Sequence, residues 1–321
     1  MLKNLYPLYP YGKLDVQSEA ILQEIAKSNG KPLASLTPQQ ARECFLENSW
    51  LGAPDKSIQI INIYIDNSDS NIPLRIYTPE GKAPFPILLF FHGGGFVLGT
   101  LDEFDSFCTF LASGASCIVV SVGYRLAPEN KHPAAVEDAQ TALNWIADNA
   151  SKIQGDVSRI AVAGDSAGAN LAAVASLIAR DKSFPTLLCQ ILICPWLNLS
   201  STETNSYKYF GNGLWLSTTN IHWYRNHYLK NNDQAKTYLA SPLLAEKLSG
   251  LPFTLIITAE YDVLRDEGES YANRLEEESV VVKYTNYKGM LHDFVTLPGI
   301  FNKAKEAINE ICSTLRMVFK N

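Results

Sequence analysis

Gly164-Asp165-Ser166-Ala167-Gly168 sets a serine between small residues, with a glycine two positions to either side. An apolar run, Arg159–Ala163, precedes it, and a small-residue stretch from Ala169 to Ala175 follows. Strand, G-x-S-x-G, helix is the context in which the serine is held at the apex of a sharp turn and its hydroxyl is presented as a nucleophile. The turn costs on the order of 1–3 kcal/mol of backbone strain, and residues at Gly164 and Gly168 crowd it, which glycine tolerates for want of a Cβ.

A serine hydroxyl reacts only when a neighbouring base takes its proton, and the base is oriented by a carboxylate. The chain has five histidines. His222 and His227 lie in an aromatic-rich segment, His132 follows a turn-like stretch, and His92 precedes three glycines. His292, in the loop after the last apolar run, is the best-placed base. In a fold that orders the three groups as serine, acid, histidine, the acid falls between Ser166 and His292. Asp262 follows the run Phe253–Ala259. Glu260, nearer the strand end, and Asp266, which suits the first turn of a helix, compete with it. The third element is His92-Gly93-Gly94-Gly95-Phe96. Exposed backbone N–H groups there, with that of Ala167, can hold the oxyanion that acyl transfer develops. A phosphate loop is the competing reading of the glycines. Leu98 stands where G-x-G-x-x-G needs its last glycine, and no Walker lysine follows.

These residues require a scaffold that delivers them to one edge. Apolar runs at Ile58–Asp66, Leu74–Tyr77, Ile87–Phe91, Cys117–Val122, Arg159–Ala163, Leu187–Cys194, Phe253–Ala259 and Val280–Tyr284 read as eight strands. Helical stretches near 103–114, 134–150, 168–181, 264–278 and 302–319 separate most of them. The alternation predicts an α/β fold, a mostly parallel sheet with helices on both faces, whose sites lie at the carboxyl ends of strands. The first two strands have no helix between them and predict an antiparallel edge. Residues 1–50 read as helical, with Thr37-Pro38-Gln39-Gln40 as a capping box. The segment 198–245, rich in tyrosine and tryptophan, breaks the alternation and reads as an insertion. Together they predict a cap (1–50 and about 198–245) on a catalytic domain spanning 51–321.

Composition narrows the function classes. The net charge of −6 and the scattered lysines and arginines argue against a nucleic-acid surface. No apolar stretch approaches the roughly 20 residues that span a membrane, and the first residues lack the apolar core of a signal peptide. Six cysteines form no C-x-x-C or zinc spacing and suit a reducing compartment. The expectation is a cytoplasmic protein with no integral membrane segment.

His92-Gly93-Gly94-Gly95 and Gly164-Asp165-Ser166-Ala167-Gly168 together resemble the two signatures of the hormone-sensitive lipase family, the bacterial family IV carboxylesterases of the GDXG type. Tyr124–Glu129, Asp262–Gly268 and Gly289–His292 resemble that family's stretch after the fourth strand, its acid loop and its histidine loop. The likeness runs from about residue 10 to the C-terminus. It implies an eight-stranded α/β-hydrolase fold with a helical cap and a Ser166–His292–Asp262 triad. Gly93, Gly94, Gly95 and Ala167 would form the oxyanion hole, the second and third glycines and Ala167 donating, with His92, Gly164, Asp165 and Gly168 supporting the two motifs. The implied activity is hydrolysis of short- to medium-chain carboxylic esters, with small-molecule esters as partners, no metal, no cofactor and room for a homodimer. Three positions depart from the family pattern: Val263 for a common proline, Asn198 for a frequent aspartate, and Asp293 for a frequent glycine. An amidase or deacetylase would use the same triad. A ligand receptor on this fold tends to have lost a triad member, and here all three are present.

Overall fold

The computed structural model describes residues 12–28, 30–47, 54–67 and 70–320. The first residues and the expected domain boundary near residue 50 lie outside them. Eight strands form one sheet: β1 (Gln59–Asn67), β2 (Ser70–Thr78), β3 (Phe85–Phe91), β4 (Ile118–Val122), β5 (Gly155–Asp165), β6 (Leu187–Ile193), β7 (Phe253–Tyr261) and β8 (Val282–Leu291). Their order is β1-β2-β4-β3-β5-β6-β7-β8. β2 pairs antiparallel with both β1 and β4, and every pairing from β4 onward is parallel. The expected antiparallel edge is therefore present.

β3 is buried at all seven positions, which is why its sequence is an unbroken apolar run. It sits between β4 and β5, with helices covering both faces, so no position can be polar without a partner. β8 differs. Its apolar run suggests a stop near Tyr284, yet the strand continues to Leu291. As the edge strand it is half exposed along Val282–Lys288, so Asn286 and Tyr287 reach solvent while their backbone still pairs with β7. The extension carries the chain to His292.

The described α-helices are α1 (Val16–Lys27), α2 (Pro38–Glu47), α3 (Asp105–Ala115), α4 (Ala134–Asn149), α5 (Ala167–Lys182), α6 (Asn205–Phe210), α7 (Thr218–Tyr228), α8 (Arg265–Glu277) and α9 (Asn302–Val318). α3 and α9 pack on each other against the sheet, while α5 packs on β3, β5 and β6 beside α4. Small residues in the first half of α5, all buried, let it lie close to the strands.

The N-terminal helices and the 198–245 segment meet the rest of the molecule through polar contacts. The capping box at α2 is formed: Gln40 N–H donates to Thr37 Oγ1 and Thr37 N–H to Gln40 Oε1. Arg42 of α2 donates to the carbonyls of Val97 and Ala127 and to the Glu129 carboxylate. α1 docks on the end of β8, where Ser18 Oγ donates to Gly289 O at 2.8 Å. Trp223 Nε1 of α7 donates to Leu36 O, joining the two segments to each other.

Candidate active site

Ser166 occupies the step between β5 and α5, with φ 55° and ψ −115°, a strained conformation for a residue bearing a Cβ. Its N–H donates to Ile193 O at the end of β6, so the neighbouring strand braces the turn. The room for it comes from Gly168. A Cβ there would stand 2.0 Å from Phe91 O and 2.4 Å from His92 O. Both are main-chain atoms that cannot rotate away. Gly168→Ala is expected to lose about 3 kcal/mol of stability by overpacking. Urea unfolding measures it, and an unshifted midpoint would contradict the close approach.

β8 delivers His292 to the same edge. Its Nε2 lies 3.0 Å from Ser166 Oγ, and its Nδ1 lies 2.7 Å from Asp262 Oδ2. Asp262 directly follows β7, and its other oxygen accepts the Leu264 N–H at 2.9 Å, which locks the carboxylate toward the ring. The three groups therefore follow the carboxyl ends of three parallel strands, β5, β7 and β8, with β6 between the first two, and all are buried. Burial opposes charge on His292. The Asp262 and then the Asp293 carboxylates outweigh it and hold the imidazole well above its usual value.

The competing carboxylates are engaged elsewhere. Glu260 accepts the Gly289 N–H and pairs with Lys288. Asp266 accepts the Ser206 N–H, tying α6 to α8. The other histidines also have different surroundings. Burial holds His92 and His132 down to about 4. His92 stacks on Tyr124, whose hydroxyl donates to the His92 carbonyl, while His132 meets the Tyr228 hydroxyl. His227 packs edge-on against Trp223, and His222 is exposed.

A cavity of about 790 Å³ opens above Ser166 and His292, with Gly94 and Gly95 in its wall. Val97 and Leu98 N–H groups both donate to Gly94 O, curling the glycine stretch into a turn. Gly95 has φ 62°, and a Cβ would stand 2.2 Å from the Tyr224 ring of α7. Ala167 begins α5, where helix N–H groups lack intrahelical acceptors. Gly93 is absent from the cavity wall. It packs on Asp165, whose Oδ2 would lie 2.6 Å from a Cβ at that position, so the first glycine and the first acid of the two motifs support one another. The remaining wall is mostly apolar, with Leu33, Leu36, Trp196, Trp215 and Ile221.

Two side chains escape the sequence reading. Glu267 is buried and accepts the N–H groups of Leu197 and Asn198 at 2.8 Å each, and the Tyr207 hydroxyl. Burial pushes its carboxyl up to about 8. It anchors the loop leaving β6, where the Asn198 side chain accepts from Ser200 N–H and Oγ. The only cue was a glutamate inside an otherwise recognisable acid loop. The second is Asp293, whose Oδ1 lies 3.0 Å from His292 Nε2. Cys194 lies within 4.8 Å of Asp262 and His292. Those two bond each other, and burial pushes the thiol far up.

A family model described as the alpha/beta hydrolase fold matches residues 88–296. Carboxylic ester hydrolase LipN of Mycobacterium tuberculosis is 40% identical over 269 residues, covering 82% of this chain and 71% of that protein. An arylesterase of Saccharolobus solfataricus is 34% identical over 311 residues, covering 96% and 99%. The solved hyperthermophilic esterase from the archaeon Pyrobaculum calidifontis superposes with a TM-score of 0.91 at 37% identity, over 95% of this chain and 99% of that one. A sheet of this order, carrying a serine on a strained strand-to-helix turn and matching such proteins nearly end to end, places the chain in the α/β-hydrolase family, in the branch of hormone-sensitive lipase and the family IV esterases.

Proposed function

We propose that the chain hydrolyses carboxylic esters of short to medium acyl length through an acyl-enzyme on Ser166. The observation that carries this reading is His292 bridging Ser166 and Asp262, at 3.0 and 2.7 Å, beneath a cavity walled by Gly94 and Gly95. His292 Nε2 takes the hydroxyl proton as Ser166 Oγ bonds to the ester carbon. The carbonyl oxygen becomes an oxyanion held by Gly94, Gly95 and Ala167 N–H groups, each worth on the order of 10²–10³ in rate. The carbon–oxygen bond to the alcohol then breaks, and His292 gives its proton to the departing oxygen. Water, deprotonated by the same imidazole, repeats the sequence on the acyl-enzyme and releases the acid. Asp262 keeps Nδ1 protonated and faces the imidazolium throughout.

The apolar wall and the cavity's size support the acyl preference. Residues 1–50 and 198–245 would act as the cap: Leu36 and Trp215, one from each, both line the cavity. No described helix is long and apolar enough to cross a membrane. The buried thiols Cys108, Cys117, Cys189 and Cys312, pushed up by burial, are compatible with a reducing, cytoplasmic setting. The test is a series of p-nitrophenyl esters from acetate to palmitate, with matched anilides. The expected kcat/KM peaks among the shorter esters, falls at least tenfold by palmitate, and exceeds that of the anilides. Preference for the anilides would favour an amidase instead. Failure to turn over any ester would end the assignment.

A further inference from the structure

Asp293 begins the turn after β8 with φ 60°, in the left-handed region that glycine occupies freely and other residues only at a cost. A side chain kept there needs a reason. Its side chain lines the cavity with Ser166 and His292. Its Oδ1 is buried, makes no well-aligned hydrogen bond, and lies 3.0 Å from His292 Nε2. Ser166 Oγ lies at that same distance from the same nitrogen. One ring nitrogen thus has two oxygens in reach: the hydroxyl that must give it a proton, and a carboxylate that can only attract one.

The other groups near Asp293 offer it no positive charge. They are the Asp165 carboxyl at the end of β5, Asp262 after β7, the Cys194 thiol after β6 and the Tyr224 hydroxyl of α7. Burial, and then the Asp293 carboxylate, push Asp165 far up. The cation available to Asp293 among these groups is the imidazolium of His292.

Resting on the serine-hydrolase reading above, we propose that Asp293 is a second acid of the catalytic site, competing with Ser166 for the Nε2 proton of His292 and thereby setting the lower pH limit of activity. The proton balance is simple. At low pH Nε2 bears a proton held between Oγ and Asp293 Oδ1, and the ring cannot act as a base. Loss of that proton to solvent frees the lone pair for Ser166. In turnover the proton moves from Oγ to Nε2 and then to the leaving oxygen. The carboxylate therefore steadies the imidazolium and, for the same reason, delays the appearance of the free base as pH rises. The raised position of His292, with Asp293 the second carboxylate contributing after Asp262, agrees with this sign.

The test compares wild type with Asp293→Asn and Asp293→Gly, both residues suited to a left-handed backbone. The acid limb of kcat/KM for p-nitrophenyl acetate should move down by about one pH unit in each variant, as removal of a nearby opposite charge requires. The His292 ring is followed in parallel by NMR titration, assigned by its absence in His292→Gln. Its midpoint should fall by the same amount, with or without ester turnover. An unmoved or raised midpoint in both variants overturns the role of Asp293. Absence of ester hydrolysis by wild type, with the midpoint still falling, would overturn the esterase reading alone.

Discussion

Ser166→Ala is expected to lower kcat for p-nitrophenyl acetate by about a millionfold. The loss is large because the remaining parts act as a unit with the hydroxyl. Without Oγ, His292 has no proton to take and no covalent intermediate forms, so Asp262 has nothing to support. Gly94, Gly95 and Ala167 can still polarise a bound ester toward water, which sustains on the order of 10³-fold over background. The fold should persist, because alanine keeps the same Cβ in the same turn and Ser166 N–H still donates to Ile193 O. A variant with normal circular dichroism and a few per cent of wild-type turnover would mean that another nucleophile does the work.

Asp262→Asn should cost about 10⁴-fold in kcat near neutral pH, with KM little changed. The amide oxygen would take over the contact with Leu264 N–H, since an amide NH₂ cannot accept from that donor. This turns the amide NH₂ toward His292 Nδ1, which must then accept rather than donate. The ring proton moves to Nε2, the atom that has to receive one from Ser166. Steady-state kinetics with the purified variant reads the effect. A loss of less than tenfold would remove Asp262 from the mechanism and return Glu260 and Asp266 to consideration.

The sequence reading anticipated the sheet because parallel strands buried on both faces have no choice but to be apolar, as in Ile87–Phe91. It underestimated β8 because an edge strand can be polar and still be a strand; nothing in Asn286 or Tyr287 marks backbone pairing with β7. The site was legible where a residue's type and its place after a strand both narrow the choice. Ser166 had a motif, while His292 and Asp262 had their places after a strand and the likeness of their loops to a family's. What sets Asp262 apart from Glu260 in the structure is where each carboxylate points, toward the Leu264 N–H in one case and the Gly289 N–H in the other. Glu267 was illegible for a different reason. Its partners are the backbone N–H groups of Leu197 and Asn198, about seventy positions away, and backbone donors carry no side-chain signature. Asp293 stood out only as a departure from a family pattern. What made it meaningful was a distance to Nε2.

Arg42 binds the Val97 carbonyl with one arm of its guanidinium and Ala127 and Glu129 with the others. Val97 belongs to the same turn as Gly94, and the N–H of Ala127 in turn donates to Phe96 O. The helix that lies over the cavity is therefore fastened to the turn that would receive the oxyanion. If α2 lifts to admit a bulky ester, that turn loses one of its anchors at the same moment. The wall that meets the ester and the turn that would receive its developing charge are thus held in register by a single side chain.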